Sequence, residues 1–191
     1  MNITKLTDSE LGYLKGFFMG DGYKYHDKKG RKYYVEFYTH SIRDKKISKF
    51  LIILTKKLKL NPNIYKDKRF YCKIIRITNK EFFNLFDKDF IKMNLKNGEI
   101  IGFISGFIDA EGYVNNKKRF IQVVNTNHQV LEFIKNELAK MRVSSSISNK
   151  WASKKSRKQA YNLYISVTFK NIPHLAFKPA GWSSLECSPG P

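Results

Sequence analysis

Residues 11–23 read LGYLKGFFMGDGY, and residues 101–113 read IGFISGFIDAEGY, so one stretch occurs twice in this chain of 191 residues. A single offset of 90 residues aligns five pairs, namely Gly12/Gly102, Gly16/Gly106, Asp21/Glu111, Gly22/Gly112 and Tyr23/Tyr113. A gapless match of this length indicates an internal duplication. We therefore predict two copies of one half-domain, joined through these two segments.

Each copy is apolar along most of its length, which predicts a helix that is buried nearly all round. Thr7 and Glu10 predict a capping box at the start of the first helix, and Asn97 is a weaker cap candidate for the second. Small residues recur at every fourth position, where they form one stripe on each helix: Gly12, Gly16, Gly20 and Gly102, Gly106, Ala110. Glycine inside a helix costs about 0.5–1 kcal/mol relative to alanine, so the stripes predict close backbone contact between the two helices.

Asp21 and Glu111 end the two helices, and each precedes a glycine suited to a left-handed C′ position. The negative end of a helix dipole disfavours a carboxylate, and packing along the stripes brings the two acids together. A divalent metal resolves both problems, with the carbonyls of Gly20 and Ala110 as further candidate ligands. The alternative, two ordinary exposed helix-end acids, does not explain why both copies carry one.

The charge balance points to a polyanionic partner. Lys and Arg number 36 against 16 Asp and Glu, which gives a formal net charge of +20. Such an excess favours phosphate backbones through counterion release, although a solvated lysine-rich surface is the alternative reading. Cys72 and Cys187 form no CxxC pair, as is typical of a reducing compartment, and neither a signal peptide nor a membrane span is expected.

The chain between the motifs predicts the same order twice, helix–hairpin–helix–hairpin–helix. In the first half the expected elements are a hairpin over 23–40 turning at 27–30, a helix at 44–59, a hairpin over 64–78 and a helix at 80–90. In the second half they are a hairpin over 113–126 turning at 115–118, a helix at 128–141 and a hairpin over 147–169. We expect half-domains at 1–94 and 95–178, and a disordered tail or cloning remnant at 179–191.

The segments LKGFFMGDG (14–22) and ISGFIDAEG (104–112) resemble the two motifs of the LAGLIDADG homing endonucleases in their monomeric, two-motif form. The second matches at Gly106, Ile108, Asp109, Ala110 and Gly112, with Glu111 in place of the second aspartate. The first keeps Gly16, Asp21 and Gly22 but has Met19 and Gly20 in place of Asp-Ala. The resemblance implies an α+β fold of two pseudo-symmetric αββαββα half-domains, whose antiparallel four-stranded sheets form a saddle on DNA.

The resemblance also implies an activity, a double-strand break by Mg²⁺-dependent phosphodiester hydrolysis, with Asp21 and Glu111 serving one strand each. Mn²⁺ or Ca²⁺ would substitute in the site, the latter without cleavage. The family places a polar residue at the end of the second strand, which by position is His40, with Thr126 in the second half. It also has a central lysine, for which Lys96 is the candidate and Lys92 the rival.

Sequence readout is expected on the outward faces of the four hairpins, because strand pairs fit the major groove. The candidates for base contacts are Tyr34, Glu36, Tyr38, Arg76, Gln122, Asn162, Tyr164, Ser166 and Thr168. Lysines in the hairpin turns are expected to hold phosphates, which position the protein without specifying sequence. These lysines are Lys28, Lys32, Lys154, Lys155 and Lys158.

Three other functions remain open at this point: an RNA-splicing maturase of the same fold that binds its host intron RNA, a non-cleaving DNA-binding regulator, and an unrelated basic RNA-binding protein. Intact acids in both motifs favour cleavage. The small size and the absence of splicing blocks favour an intron-encoded, free-standing enzyme over an intein. We expect an intracellular location, with genomic or organellar DNA as the substrate.

Overall fold

The computed structural model of the protein describes residues 3–67, 71–115, 117–150 and 159–166. The first half contains α1 (Asp8–Asp21), β1 (Gly22–Asp27), β2 (Lys32–His40), α2 (Lys45–Lys57), β3 (Asn63–Asp67), β4 (Cys72–Thr78) and α3 (Lys80–Phe83). The second contains α4 (Ile100–Glu111), β5 (Gly112–Asn115), β6 (Phe120–Asn125), α5 (His128–Lys140), β7 (Ser145–Lys150) and β8 (Ala160–Ser166).

The strands form two antiparallel four-stranded sheets with the same topology, β1-β2-β4-β3 and β5-β6-β8-β7. One face of each sheet carries apolar side chains that are completely buried against the helices, such as Phe37 and Ile75 in the first half and Val123 and Leu163 in the second. The predicted α+β fold of two repeated halves is therefore confirmed. No helix in the described part of the chain is long and apolar enough to cross a membrane.

The glycine stripes lie at the contact between α1 and α4. A Cβ atom added to Gly12 would lie 1.9 Å from the carbonyl oxygen of Glu99, and one added to Gly16 would lie 1.9 Å from that of Phe103. From the other side, a Cβ on Gly102 would lie 1.8 Å from the oxygen of Ser9, and one on Gly106 would lie 2.1 Å from that of Tyr13. The two helices therefore meet backbone to backbone, and only glycine fits at these four positions.

The glycines that follow the two acids play a different part from the one expected. Gly22 and Gly112 have φ values of −103° and −82°, so both are extended, and the predicted left-handed conformation is wrong. Each instead begins a strand directly. A Cβ on Gly22 would lie 2.3 Å from the Phe18 ring, and one on Gly112 would lie 2.4 Å from the Ile108 oxygen. Close approach to the preceding helical turn therefore explains glycine here.

The helix expected at 80–90 is much shorter, because α3 ends at Phe83. Two aspartate side chains hold the following segment in turns: Asp87 accepts from the backbone N–H of Asp89 at 2.9 Å, and Asp89 accepts from that of Ile91 at 3.1 Å. Such local side-chain bonds compete with helical ones. As a result, the chain from 84 to 90 leaves the helical path, and Lys88 lies on an irregular segment.

A buried hydrogen bond connects the two halves across the helix pair. The hydroxyl of Tyr13 on α1 donates to Asp109 Oδ2 on α4 at 2.8 Å, and Tyr13 is 5% exposed. Burial, followed by the charge of Asp109, raises the pKa of Tyr13 well above its usual value, so the phenol stays a donor. Tyr13→Phe removes this bond without changing the shape of the ring.

We expect Tyr13→Phe to lower the free energy of unfolding by about 1.5–3 kcal/mol, the usual effect of losing a buried hydrogen bond to a charged group. The measurement is urea unfolding of the variant and the wild type at neutral pH. Tyr23→Phe is the matched control, because Tyr23 is 44% exposed, and it should change stability by less than about 0.5 kcal/mol. Equal losses in the two variants would contradict this assignment.

Candidate active site and nucleic-acid interface

The two acids lie where α1 and α4 end side by side. A Cβ added to Gly20 would lie 2.5 Å from the Ala110 Cβ and 2.9 Å from the Glu111 Cγ, so α1 passes directly against the second acid. Asp21, the next residue, is buried at 6% exposure. The Glu111 side chain therefore packs against α1 at the residue before Asp21, so the two acids lie at adjacent helix ends.

Lys88, which is not among the residues predicted from the sequence, lies near the end of α1. Lys88 Nζ donates to the carbonyl oxygen of Phe18 at 3.3 Å and lies 4.9 Å from the centre of the Phe18 ring, one turn before Asp21. Burial lowers the pKa of Lys88, while the charges of Asp21 and Glu111 act in the opposite direction. The hydrogen bond to Phe18 therefore holds the Lys88 ammonium group near the end of α1, within electrostatic reach of both carboxylates, and the aspartate-rich turn around it was the sequence signal.

The two lysines predicted for this role lie elsewhere. Lys96 is exposed at the start of α4, where its backbone N–H donates to Glu99, so the 12-residue helix separates it from Glu111 by about 16 Å. Lys92 has a 70% exposed side chain that pairs with Asp89 at 3.3 Å. The structure corrects both assignments, because the irregular segment after α3 brings Lys88, and not these residues, to the acids.

The polar residues at the strand ends differ between the halves. His40 Nδ1 accepts from the backbone N–H groups of Ile42 at 3.3 Å and Arg43 at 3.2 Å, so its ring supports the turn after β2. In the second half, Asn125 Nδ2 donates to Glu111 Oε1 at 3.0 Å, whereas Thr126 is exposed one residue later. Asn125 thus contacts the second acid, a role that the sequence analysis gave by position to Thr126.

The donor set fits a hydrated hard cation better than a fully protein-ligated one. Within the described residues no group of three or more His, Cys, Asp or Glu side chains could hold a metal. Two carboxylates from Asp21 and Glu111 suit Mg²⁺, which keeps several of its own waters and binds through one or two carboxylates. Coordination by the carbonyls of Gly20 and Ala110 stays a prediction.

The open face of the N-terminal sheet, opposite the helices, carries tyrosines around one ion pair. Arg76 Nε donates to Glu36 Oε1 at 2.5 Å, and the Tyr38 hydroxyl donates to Glu36 Oε2 at 2.6 Å. Tyr34 lies beside them, with its ring 5.4 Å from the Arg76 guanidinium. The expected exposure of Glu36 is wrong, because Arg76 and Tyr38 cover its carboxylate and leave the residue 3% exposed.

The open face of the C-terminal sheet is uncharged in its centre. Gln122 Nε2 donates to Asn162 Oδ1 at 2.9 Å and to the Tyr164 hydroxyl at 3.4 Å, while Ser166 is exposed at the end of β8. Lys28 and Lys32 are exposed in and beside the first hairpin turn. Four other candidates, Lys154, Lys155, Lys158 and Thr168, lie outside the described residues, as does the segment 179–191.

Duplicated α+β halves, joined by a glycine-lined helix pair with an acid at the end of each helix, define the two-motif LAGLIDADG class. A family model described as a LAGLIDADG-like domain matches residues 8–90 and again residues 98–170. Because these two matches cover most of the sequence, the chain belongs to the LAGLIDADG-like family.

Comparison with known proteins agrees with this assignment. The uncharacterized protein MJ0398 of Methanocaldococcus jannaschii is 31% identical in an alignment 160 residues long, and this alignment covers 76% of this chain and 55% of the relative. The chain thus spans about half the length of that relative. A structure from work on mesophilic variants of the homing endonuclease I-DmoI superposes with a TM-score of 0.65 at 25% identity and covers 84% of this chain and 89% of its own.

Two further solved structures extend the comparison. I-DmoI in complex with DNA and Mn gives a TM-score of 0.63 at 25% identity, covering 83% of this chain and 90% of its own. The N-terminal LAGLIDADG domain of DUF199/WhiA gives a TM-score of 0.57 at 18% identity, covering 84% and 76%, and this likeness concerns the fold alone.

Proposed function

We propose that this protein is a site-specific DNA endonuclease of the homing type, which makes a double-strand break by Mg²⁺-dependent hydrolysis. The observation that carries the proposal is the packing of the Glu111 side chain against α1 beside Asp21, with the Lys88 ammonium group within electrostatic reach of both carboxylates. A polyanion-binding protein without catalytic function gives no reason for two carboxylates to be placed together in a chain of net charge +20.

Each carboxylate would serve one DNA strand, because the pseudo-two-fold relation of the halves matches the symmetry of a duplex. Asp21 and Glu111 would hold the divalent metal, whose chemistry when bound is to polarise a phosphate and lower the pKa of a water. Asn125 would orient the Glu111 carboxylate through its 3.0 Å hydrogen bond. The exposed lysines of the first hairpin turn would hold the DNA backbone by charge.

Both acids belong to one chain, so a monomer supplies a complete pair. The enzyme would act inside the cell on genomic or organellar DNA, as an intron-encoded protein. The fold it shares with I-DmoI, a homing endonuclease solved with DNA and Mn, supports DNA as the substrate and a divalent metal as the cofactor.

The test is cleavage of a library of long DNA fragments in Mg²⁺, in Ca²⁺ and in EDTA, with the new ends mapped by sequencing. We expect ends that recur at one sequence in Mg²⁺ only, while Ca²⁺ supports binding without cleavage. A protein that binds duplex DNA but leaves the library intact in Mg²⁺ would contradict the endonuclease proposal. Tight binding of structured RNA instead would favour the maturase alternative.

Lys88→Met is expected to lower the single-turnover cleavage rate about 100-fold, the usual effect of removing one charge-stabilising donor from an active site. DNA affinity should stay within about threefold, because Lys88 would make no more than one of many phosphate contacts. Lys92→Met is the matched control and should cleave at the wild-type rate. Equal rates for Lys88→Met and the wild type would exclude a catalytic role for this lysine.

The pH dependence gives a second readout on Lys88. Because burial lowers its pKa below the ordinary 10.5, the ammonium group loses its proton at a lower pH than a surface lysine does. If the protonated form assists cleavage, the wild-type rate should decline on the alkaline side before pH 10.5. Lys88→Arg keeps its charge throughout this range, and its rate should show no such decline.

A further inference from the structure

The open faces of the two sheets carry side chains of different charge in equivalent positions. Strand register defines one row across the N-terminal sheet, Tyr23–Glu36–Arg76–Asn63, because each residue pairs with the next. The same register defines the equivalent row across the C-terminal sheet, Tyr113–Gln122–Tyr164–Ser146. An ion pair in the centre of the first row is thus replaced by a neutral pair in the second.

Arg76 is held on several sides. Its Nε donates to Glu36 at 2.5 Å, and its guanidinium carbon lies 5.4 Å from the centre of the Tyr34 ring and 4.7 Å from that of the Tyr65 ring. Glu36 is itself fixed by the Tyr38 hydroxyl at 2.6 Å and has a 4% exposed side chain. The arginine side chain keeps 29% exposure, so its orientation is set before any ligand arrives.

The remaining donors of Arg76 suit a base edge better than a phosphate. With Nε occupied by Glu36, the two terminal nitrogens keep their parallel N–H groups, the fork that matches guanine O6 and N7 in the major groove. The neighbouring carboxylate neutralises the pair, so its net attraction for phosphate is small, while the directional donors remain. Its row lies in the middle of the sheet, away from the lysine-rich turn.

We propose that Arg76 reads a guanine in the DNA half-site that binds the N-terminal sheet, with Glu36 as its positioning residue. This inference rests on the proposed function, since it requires a duplex across the open faces. The C-terminal half, with Gln122 and Tyr164 in the equivalent row, has no guanidinium at that place and sets no matching guanine. The two half-sites therefore differ at this position.

The experiment is selection of bound sequences from a randomised DNA duplex pool in Ca²⁺, followed by sequencing, for the wild type and Arg76→Lys. The wild type should enrich a near-invariant guanine at one position of one half-site. Arg76→Lys keeps the charge but loses the fork, so preference at that position alone should fall about 10- to 100-fold. Lys66→Gln, a charge loss on β3 with Lys66 facing away from the Tyr65 side of the sheet, should leave the motif unchanged.

A second variant tests whether the loss of preference could come from a less stable protein. Glu36→Gln combined with Arg76→Tyr copies the C-terminal row, which the same fold accommodates, and it too should lose the guanine. If Arg76→Lys or this double variant weakens binding equally at every position, Arg76 is a phosphate contact and the inference is overturned. If the wild type selects no duplex at all, the proposed function fails together with the inference.

Discussion

Replacing both Gly16 and Gly106 by alanine is expected to lower the free energy of unfolding by about 2–6 kcal/mol. The added Cβ atoms would lie 1.9 Å from the Phe103 oxygen and 2.1 Å from the Tyr13 oxygen, both backbone atoms that cannot rotate away. The helices α1 and α4 would have to separate along their length. Since each change alone overpacks a rigid contact, each should cost about 1–3 kcal/mol.

Whether alanine lowers or raises the free energy of unfolding distinguishes the packing between the helices from the intrinsic helix propensity of alanine. Alanine favours an isolated helix over glycine by about 1 kcal/mol per site, so propensity alone predicts a more stable protein. The measurement is thermal and urea unfolding of the two single variants and the double variant. Ser105→Ala on α4 is the control, because Ser105 faces away from the contact and bonds only its own helix, at Ile101. A glycine variant as stable as this control would contradict the backbone contact.

Asp21→Asn and Glu111→Gln are each expected to reduce double-strand cleavage at least about 1,000-fold, because each removes the carboxylate that would serve one strand. Each single variant should leave mainly nicking, or no cutting, and any nicks should fall on opposite strands in the two variants. The double variant should be inactive. The measurement is single-turnover cleavage of an end-labelled target, with both strands followed separately.

Binding and stability should survive these changes. Both acids lie at the negative ends of helix dipoles and beside each other, so neutral isosteres should leave the melting temperature unchanged or raise it. Affinity for target DNA in Ca²⁺ or EDTA should remain, since the lysines proposed to contact phosphates are unchanged. Glu137→Gln, which alters a surface pair with Lys140 on α5, should cleave normally. Cleavage by the Asp21→Asn/Glu111→Gln variant at the wild-type rate would exclude the mechanism.

Much of the fold was readable from the sequence because its signals are local and repeated. The hairpin turn after Asp27 is one example, since Asp27 Oδ1 accepts from the backbone N–H groups of Lys29 and Gly30 as its sequence predicts. The predicted capping box of Thr7 and Glu10 is present as well. In these places one short segment contains both partners of each contact.

The errors about the environment of the site residues occurred where a partner came from a distant part of the chain. Outward alternation placed Glu36 on the open face correctly, but only the register with β4 shows that Arg76 covers it. The helix pattern at 80–90 gave no indication that Lys88 would turn toward two acids 67 and 23 residues away. Pairings of this kind depend on loop closure and packing, which periodicity does not contain.

The sequence by itself determined the duplication, the buried helix pair and the location of the two acids, because glycine at every fourth position has one economical explanation, close backbone contact. Only the tertiary structure decided which lysine and which amide lie near the acids. It also decided that the Arg76 guanidinium lies between the rings of Tyr34 and Tyr65. The physical reason is the sequence separation over which each interaction acts. Backbone sterics and helix geometry act over a few residues, whereas the surroundings of a buried charge are assembled from segments that only folding brings together.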